Sequence, residues 1–175
     1  MAVFTIGFTQ QTAQQFFEGL RAAGVKRVLD VRLNNTSQLA GFARAGDLRF
    51  FLRELCNAEY VPVGVLAPEK AMLAQYRAGS MSWADYDARY QELLARRAVE
   101  RQLDMTLLDG GCLLCSELEP HFCHRRLAVE YLQAHTGVVL DVRHIVKGVV
   151  LGEGSANTGS GAVLKKGVKT RLNTK

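Results

Sequence analysis

The stretch LLCSELEPHFCHRR, residues 113–126, gathers Cys115, Cys123, His121, His124, Arg125 and Arg126 in a 175-residue chain that has four cysteines and four histidines in all. Thiols and imidazoles serve as nucleophiles, acid–base groups and metal ligands near neutral pH, and arginine clamps phosphates and carboxylates through paired N–H groups. The segment begins in the apolar run CLLC, which reads as a buried strand. Side chains alternate along a strand, so Cys115 shares a face with Leu113 while Cys112 and Leu114 take the other. The Cys112-x-x-Cys115 spacing therefore does not chelate, and Cys112 is expected to pack as a small apolar residue.

Pro120 suits an early helical position, so the spacing predicts a helix from about residue 120 to 135, stopped by Gly137. Its first turn would hold Phe122, Cys123 and His124, where unpaired N–H groups and the positive end of the helix dipole favour an anion or a thiolate. An inward stripe of Leu127, Ala128, Tyr131 and Leu132 turns Cys123 and His124 toward the sheet, while Arg126 and Glu130 pair across one turn. The chemistry expected is a thiol, Cys115 or Cys123, acting as nucleophile or redox centre with His124 as its base or acid. Arg32 and Arg125 would clamp an anionic ligand.

The elements that must position these residues alternate between strand and helix. AVFTIGF, VKRVLDVR, EYVPVGV, CLLCS and VVLDVRHIV read as strands, the third at an edge or strand end because of Pro62. Thr12 and Gln15 have capping-box spacing ahead of an apolar stripe that Gly24 ends; Asp47, Pro68 and Ser82 open further helices, and residues 98–108 extend the last of these. The fold expected is α/β: one three-layer αβα domain over residues 1–146 with a mainly parallel sheet of about five strands. Ligands of such folds lie beyond the carboxyl ends of the strands. There Asp30 and Arg32 share a strand face, and the polar loop holding Asn34, Asn35, Thr36, Ser37 and Gln38 offers neutral hydrogen-bond partners.

Composition narrows the classes. With 48% hydrophobic residues the chain is long enough for one core and short for two. No apolar run approaches the ~18 residues that span a bilayer, and the start lacks the pattern of a secretory leader, so the expectation is a cytoplasmic protein with reduced thiols and no membrane partner. Residues 147–175 hold six lysines and arginines against Glu153 alone, which accounts for the whole net charge of +5; the preceding residues are balanced. This stretch, rich in Gly, Ser and Thr, reads as a flexible basic tail. GEGSANTGSG matches no phosphate-loop or dinucleotide spacing, which argues against an NTPase or an ordinary NAD enzyme and leaves the cofactor unassigned.

Four motifs in order, TIGFT, DVRLNNTSQLAGF, LAPEK and LLCSELEPHFCHRRL, make residues 3–146 similar to the bacterial and archaeal domain-of-unknown-function family 488. The resemblance implies an α/β protein with no assigned activity. Its shared polar positions correspond here to Thr9, Asp30, Arg32, Ser37, Cys115, Glu117, Cys123, His124 and Arg125. Phe8-Thr9 stands where His-Ser is frequent in the family, and LNNTSQ replaces a common Pro and second Arg, so the ligand expected here differs if those residues bind one elsewhere.

Three functions follow. The leading one is an enzyme or binder of a small anionic ligand, nucleotide-like or phosphorylated, with Cys115, Cys123 and His124 as the reactive groups. Thr9, Asp30, Arg32, Asn35, Ser37, Glu117 and Arg125 would contact the ligand. The second is a nucleic-acid-associated protein whose residues 147–175 track phosphates. The third is a metal-binding module of Cys115, Cys123 and His124, with His121 or His144 as a fourth ligand, although that spacing is not that of a common zinc module.

Overall fold

The computed structural model describes residues 1–36 and 40–152. Six strands form one sheet in the order β3-β2-β4-β1-β5-β6: β1 (Ala2–Gly7), β2 (Arg27–Asp30), β3 (Glu59–Pro62), β4 (Gly111–Cys115), β5 (Asp141–Val146) and β6 (Val149–Gly152). The first five are mutually parallel and β6 runs antiparallel to β5. The three-layer α/β architecture is as the alternation of elements requires. The sheet does not end at residue 146, however. Lys147 and Gly148, both with positive φ (47° and 82°), form a two-residue turn of the kind that matches strand twist, and residues 149–152 pair back onto β5. The part of the basic stretch from 153 onward lies outside the described residues.

The helices are α1 (Ala13–Ala22), α2 (Ala45–Phe51), α3 (Lys70–Arg77), α4 (Trp83–Arg96), α5 (Val99–Gln102) and α6 (His124–Thr136). The capping box of Thr12 and Gln15 is present on α1, and Ser82 accepts from the Asp85 N–H on α4. Arg44, not Asp47, precedes α2, and its side chain makes no cap bond. Residues 98–108 are not one helix: Ala98 takes a left-handed φ of 47°, α5 lasts four residues, and a separate 3-10 turn covers Met105–Leu108.

Two apolar clusters sandwich the sheet. Leu29, Val31 and Leu113 join residues of α3, α4 and α6 on one face, and Phe4, Ile6, Cys112 and Leu114 join Phe16, Phe17 and Leu20 of α1 on the other. Cys112 and Leu113 thus face opposite layers, as strand alternation demands. The neighbours β1 and β4 send their following helices to opposite faces, α1 to one and α6 to the other. Chain departing to both sides opens a crevice beyond the carboxyl ends of these strands, where α/β folds bind ligands. Among the described residues no helix is long and apolar enough to cross a membrane.

Candidate functional site

At that crevice lies a cavity of about 460 Å³, bordered by Phe8, Arg32, Leu33, Asn34, Lys70, Arg77, Cys115, Ser116, Glu117 and His124 among others. Its two walls are built differently.

The wall at the end of β2 is an ion pair closed on itself. Asp30 and Arg32 are 2% and 6% exposed. Arg32 Nε donates to Asp30 Oδ1 at 2.8 Å and Nη2 donates to Oδ2 at 2.7 Å, while the Arg32 N–H reaches Oδ1 at 3.1 Å. The Tyr60 hydroxyl also donates to Oδ2, at 2.7 Å, and burial together with the Asp30 charge raises that phenol to about 12. The guanidinium rests 5.1 Å from the Phe8 ring centroid. Four donors satisfy the buried Asp30 carboxylate. Arg32 is consequently half spent on Asp30; its Nη1, which makes no hydrogen bond among the described residues, is the part left for a ligand.

The wall at the end of β4 gathers soft and basic ligand atoms. Cys115 Sγ donates to Glu117 Oε2 at 2.6 Å and lies 3.4 Å from His124 Nδ1; Cys123 Sγ donates to the same Glu117 oxygen at 3.4 Å. His124 Nε2 is 3.1 Å from the carbonyl of Val31. One ligand atom from each of Cys115, Glu117, Cys123 and His124 can be chosen so that all lie within 4.8 Å of one another. Burial pushes the Cys123 thiol well above its ordinary value, and the neighbouring Cys115 adds to this. Burial also works against a charged His124, yet Cys123, Glu117 and the Val31 carbonyl raise it overall. Glu117 is held low despite its burial, chiefly through the hydrogen bond from Cys115.

The helix that carries His124 starts later than Pro120 suggests. Cys123 is the residue before its first turn and is extended, with φ −140° and ψ 134°. Residues 116–122 form a loop stapled from behind by Arg125, which is wholly buried: Nη1 donates to the Glu117 carbonyl and, at 3.4 Å, to Cys123 Sγ, Nη2 to the Leu118 carbonyl at 2.8 Å, and Nε to Thr5 Oγ1 at 3.3 Å. Arg125 therefore does not face the cavity as an anion clamp; its donors are taken up by the loop, because a buried guanidinium in an apolar layer must satisfy its N–H groups.

Other expected contacts move likewise. Thr9 donates through Oγ1 to the Ser116 carbonyl at 2.7 Å, which fixes the loop and not a ligand. Asn35 donates to the Tyr60 hydroxyl at 3.3 Å, so it is Asn34 that borders the cavity. Ser37 lies outside the described residues. Cys115 borders the main cavity, whereas Cys123 borders a neighbouring pocket of about 40 Å³ beside Trp83 and Phe122 and not the main one. His144 is engaged elsewhere, 2.7 Å from Thr5 Oγ1.

Sequence reasoning missed Lys70 and Arg77. They lie seven residues apart on one face of α3, a signal the spacing holds, but only the fold shows that this face covers the strand ends. It also missed why residue 7 is glycine: a Cβ there would stand 1.7 Å from the Glu117 carbonyl oxygen. The absence of a side chain at the tip of β1 lets the Cys115–Glu117 loop close.

No curated protein and no solved structure matches the chain. The family profile described as Domain of unknown function DUF488 matches residues 12–132, narrower than the span of similar motifs but well over half of the chain and inclusive of Cys115, Glu117, Cys123, His124 and Arg125; the chain belongs to that family.

Proposed function

We propose that this protein binds, and acts on, a small anionic ligand of nucleotide-like or phosphorylated character in the cavity beyond β1, β2 and β4. The observation that carries the reading is the convergence of cations from separate elements. Arg32 follows β2 while Lys70 and Arg77 project from α3, and all three border one cavity whose volume suits a small molecule. Lys70 and Arg77 are exposed, and Lys70 has no ion-pair partner among the described residues. Glu117, 4.0 Å from Arg77, is the carboxylate opposite them. The Cys115 and His124 side chains at the floor suit two chemistries: attack by the Cys115 thiol with His124 Nδ1 as proton acceptor, or shared ligation of a metal.

The test is calorimetric titration of the full-length protein with inorganic phosphate, pyrophosphate and a nucleoside monophosphate. The expected result is saturable binding of at least one of them that weakens about tenfold, ~1.4 kcal/mol, when Lys70 and Arg77 are both changed to Ala. Stability should stay within about 0.5 kcal/mol of the parent because both side chains are surface groups. Absence of binding to all three probes, or equal binding by the double variant, would overturn the reading.

A further inference from the structure

We propose that Cys115 Sγ, Cys123 Sγ, His124 Nδ1 and Glu117 Oε2 form a binding site for a thiophilic divalent cation, Zn²⁺ by its donor set, at the floor of the cavity. The inference does not rest on anion binding, since Lys70 and Arg77 contribute no ligand to it.

Four separate observations converge on this site. The first is spacing. Zn–S and Zn–N bonds of about 2.3 and 2.0 Å at tetrahedral angles separate ligand atoms by roughly 3.5 Å. Cys115 Sγ to His124 Nδ1 and Cys123 Sγ to Glu117 Oε2 are each 3.4 Å, Cys115 Sγ to Glu117 Oε2 is 2.6 Å and would lengthen on ligation, and one ligand atom from each residue can be chosen so that all four lie within 4.8 Å of one another. The second is the orientation of the imidazole. A carbonyl only accepts, so the Val31 oxygen at 3.1 Å holds a proton on Nε2, and Nδ1, 3.4 Å from Cys115 Sγ, is the nitrogen whose lone pair ligates when the imidazole is neutral. A ligating histidine held by a backbone carbonyl through its other nitrogen is the ordinary outer-shell arrangement of metal sites.

The third is charge. Two thiolates and one carboxylate around a dication carry a net charge of −1, and the buried Arg125 guanidinium supplies +1 while donating an N–H to Cys123 Sγ at 3.4 Å. Arg125 also holds the carbonyls of Glu117 and Leu118, so the residue that balances the centre shapes the loop bearing one of its ligands. The fourth is the second sulfur. Thiol attack needs one cysteine and one base, and it leaves unexplained why Cys123, which does not border the main cavity, directs its sulfur at the same carboxylate oxygen as Cys115. A shared cation accounts for both. With the ion bound, Cys115 is a ligand and not a nucleophile, and Glu117, whose side chain is 39% exposed, is the ligand on the solvent side that an incoming anion would meet.

The experiment is titration of the reduced, chelator-stripped full-length protein with Co²⁺, followed by displacement with Zn²⁺. One equivalent should produce the visible absorption of tetrahedral cobalt with thiolate-to-cobalt charge transfer, and Zn²⁺ should abolish it. Cys115→Ser and Cys123→Ser should each weaken Co²⁺ binding more than about 100-fold, beyond the ~10–100-fold typical of an outer-shell partner, whereas Cys56→Ser should leave it unchanged. If either serine variant fails to fold by circular dichroism, Glu117→Gln, which keeps both thiols, should still lower affinity and alter the visible bands. The site is overturned if the parent develops no charge-transfer band, if the band survives at parental affinity in a folded Cys115→Ser or Cys123→Ser variant, or if Glu117→Gln matches the parent in both affinity and spectrum. Loss of the cobalt signal with intact phosphate binding would refute this site alone; the reverse would refute only the anion reading.

Discussion

The two walls of the cavity solve the same problem, burying charge at a strand end, in opposite ways. At the end of β2, Asp30 meets Arg32, Tyr60 and a backbone N–H, so donors and acceptors are matched inside the wall. At the end of β4, two thiols, an imidazole nitrogen and a carboxylate oxygen converge with one guanidinium behind them. In the first wall only the Arg32 Nη1 is left without a partner among the described residues. The second brings four atoms able to ligate a metal together, with both thiols donating to the one Glu117 carboxylate oxygen. Burial of polar groups is thus not by itself a mark of a site; the convergence of several metal-ligating atoms on one point is.

The largest effect that tests this contrast belongs to the self-contained wall. Asp30→Ala removes the partner of Arg32 and of the Tyr60 hydroxyl and leaves a buried guanidinium unpaired; urea unfolding should show a loss of about 3–5 kcal/mol. A loss below 1 kcal/mol would mean that water or a ligand already neutralises Arg32, and the two walls would not differ as described. Next is Gly7→Ala, in which a Cβ 1.7 Å from the Glu117 carbonyl must push the loop aside. The expected cost is about 1–3 kcal/mol or somewhat more, together with loss of the ligand-atom convergence on the β4 wall but not of the Asp30–Arg32 pair. Gly46, by contrast, has open space around its Cβ position, so Gly46→Ala serves as the matched control.

The smallest effect concerns His144, at the back of the β4 wall. Burial lowers its imidazole to about 4 from an ordinary 6.5, with the charges of Arg125, His121 and Arg126 acting in the same direction. The unfolded chain takes up this proton first, so stability should fall as the pH drops from about 6.5 toward 4 and be unaffected above that window. His144→Gln should flatten that part of the stability profile measured by thermal unfolding; a profile parallel to the parent's would show that burial and the neighbouring cations do not hold His144 neutral.

Much of this arrangement was readable one element at a time. The alternation of Cys112, Leu113, Leu114 and Cys115, the Thr12–Gln15 cap and the Arg126–Glu130 pair depend on neighbours a few residues away, and each is found as the spacing implies. The same local logic erred where a long-range contact outweighed it. Pro120 signalled a helix start, but Arg125 draws the Glu117 and Leu118 carbonyls inward and keeps residues 116–122 in a loop until Cys123. Residues 149–152 looked like the beginning of a basic tail because strand pairing with β5 is not written in their composition.

The sequence by itself determined the class of fold and the one segment in which chemistry concentrates, because hydrophobic period and residue type are local properties. Only the tertiary structure decided which wall each residue serves. It turned Arg125 from ligand clamp to loop staple, exchanged Asn35 for Asn34 at the cavity, brought in Lys70 and Arg77 from α3, and gave Gly7 its role. Those assignments depend on which strand ends become neighbours, and strand order is set by packing across the whole sheet.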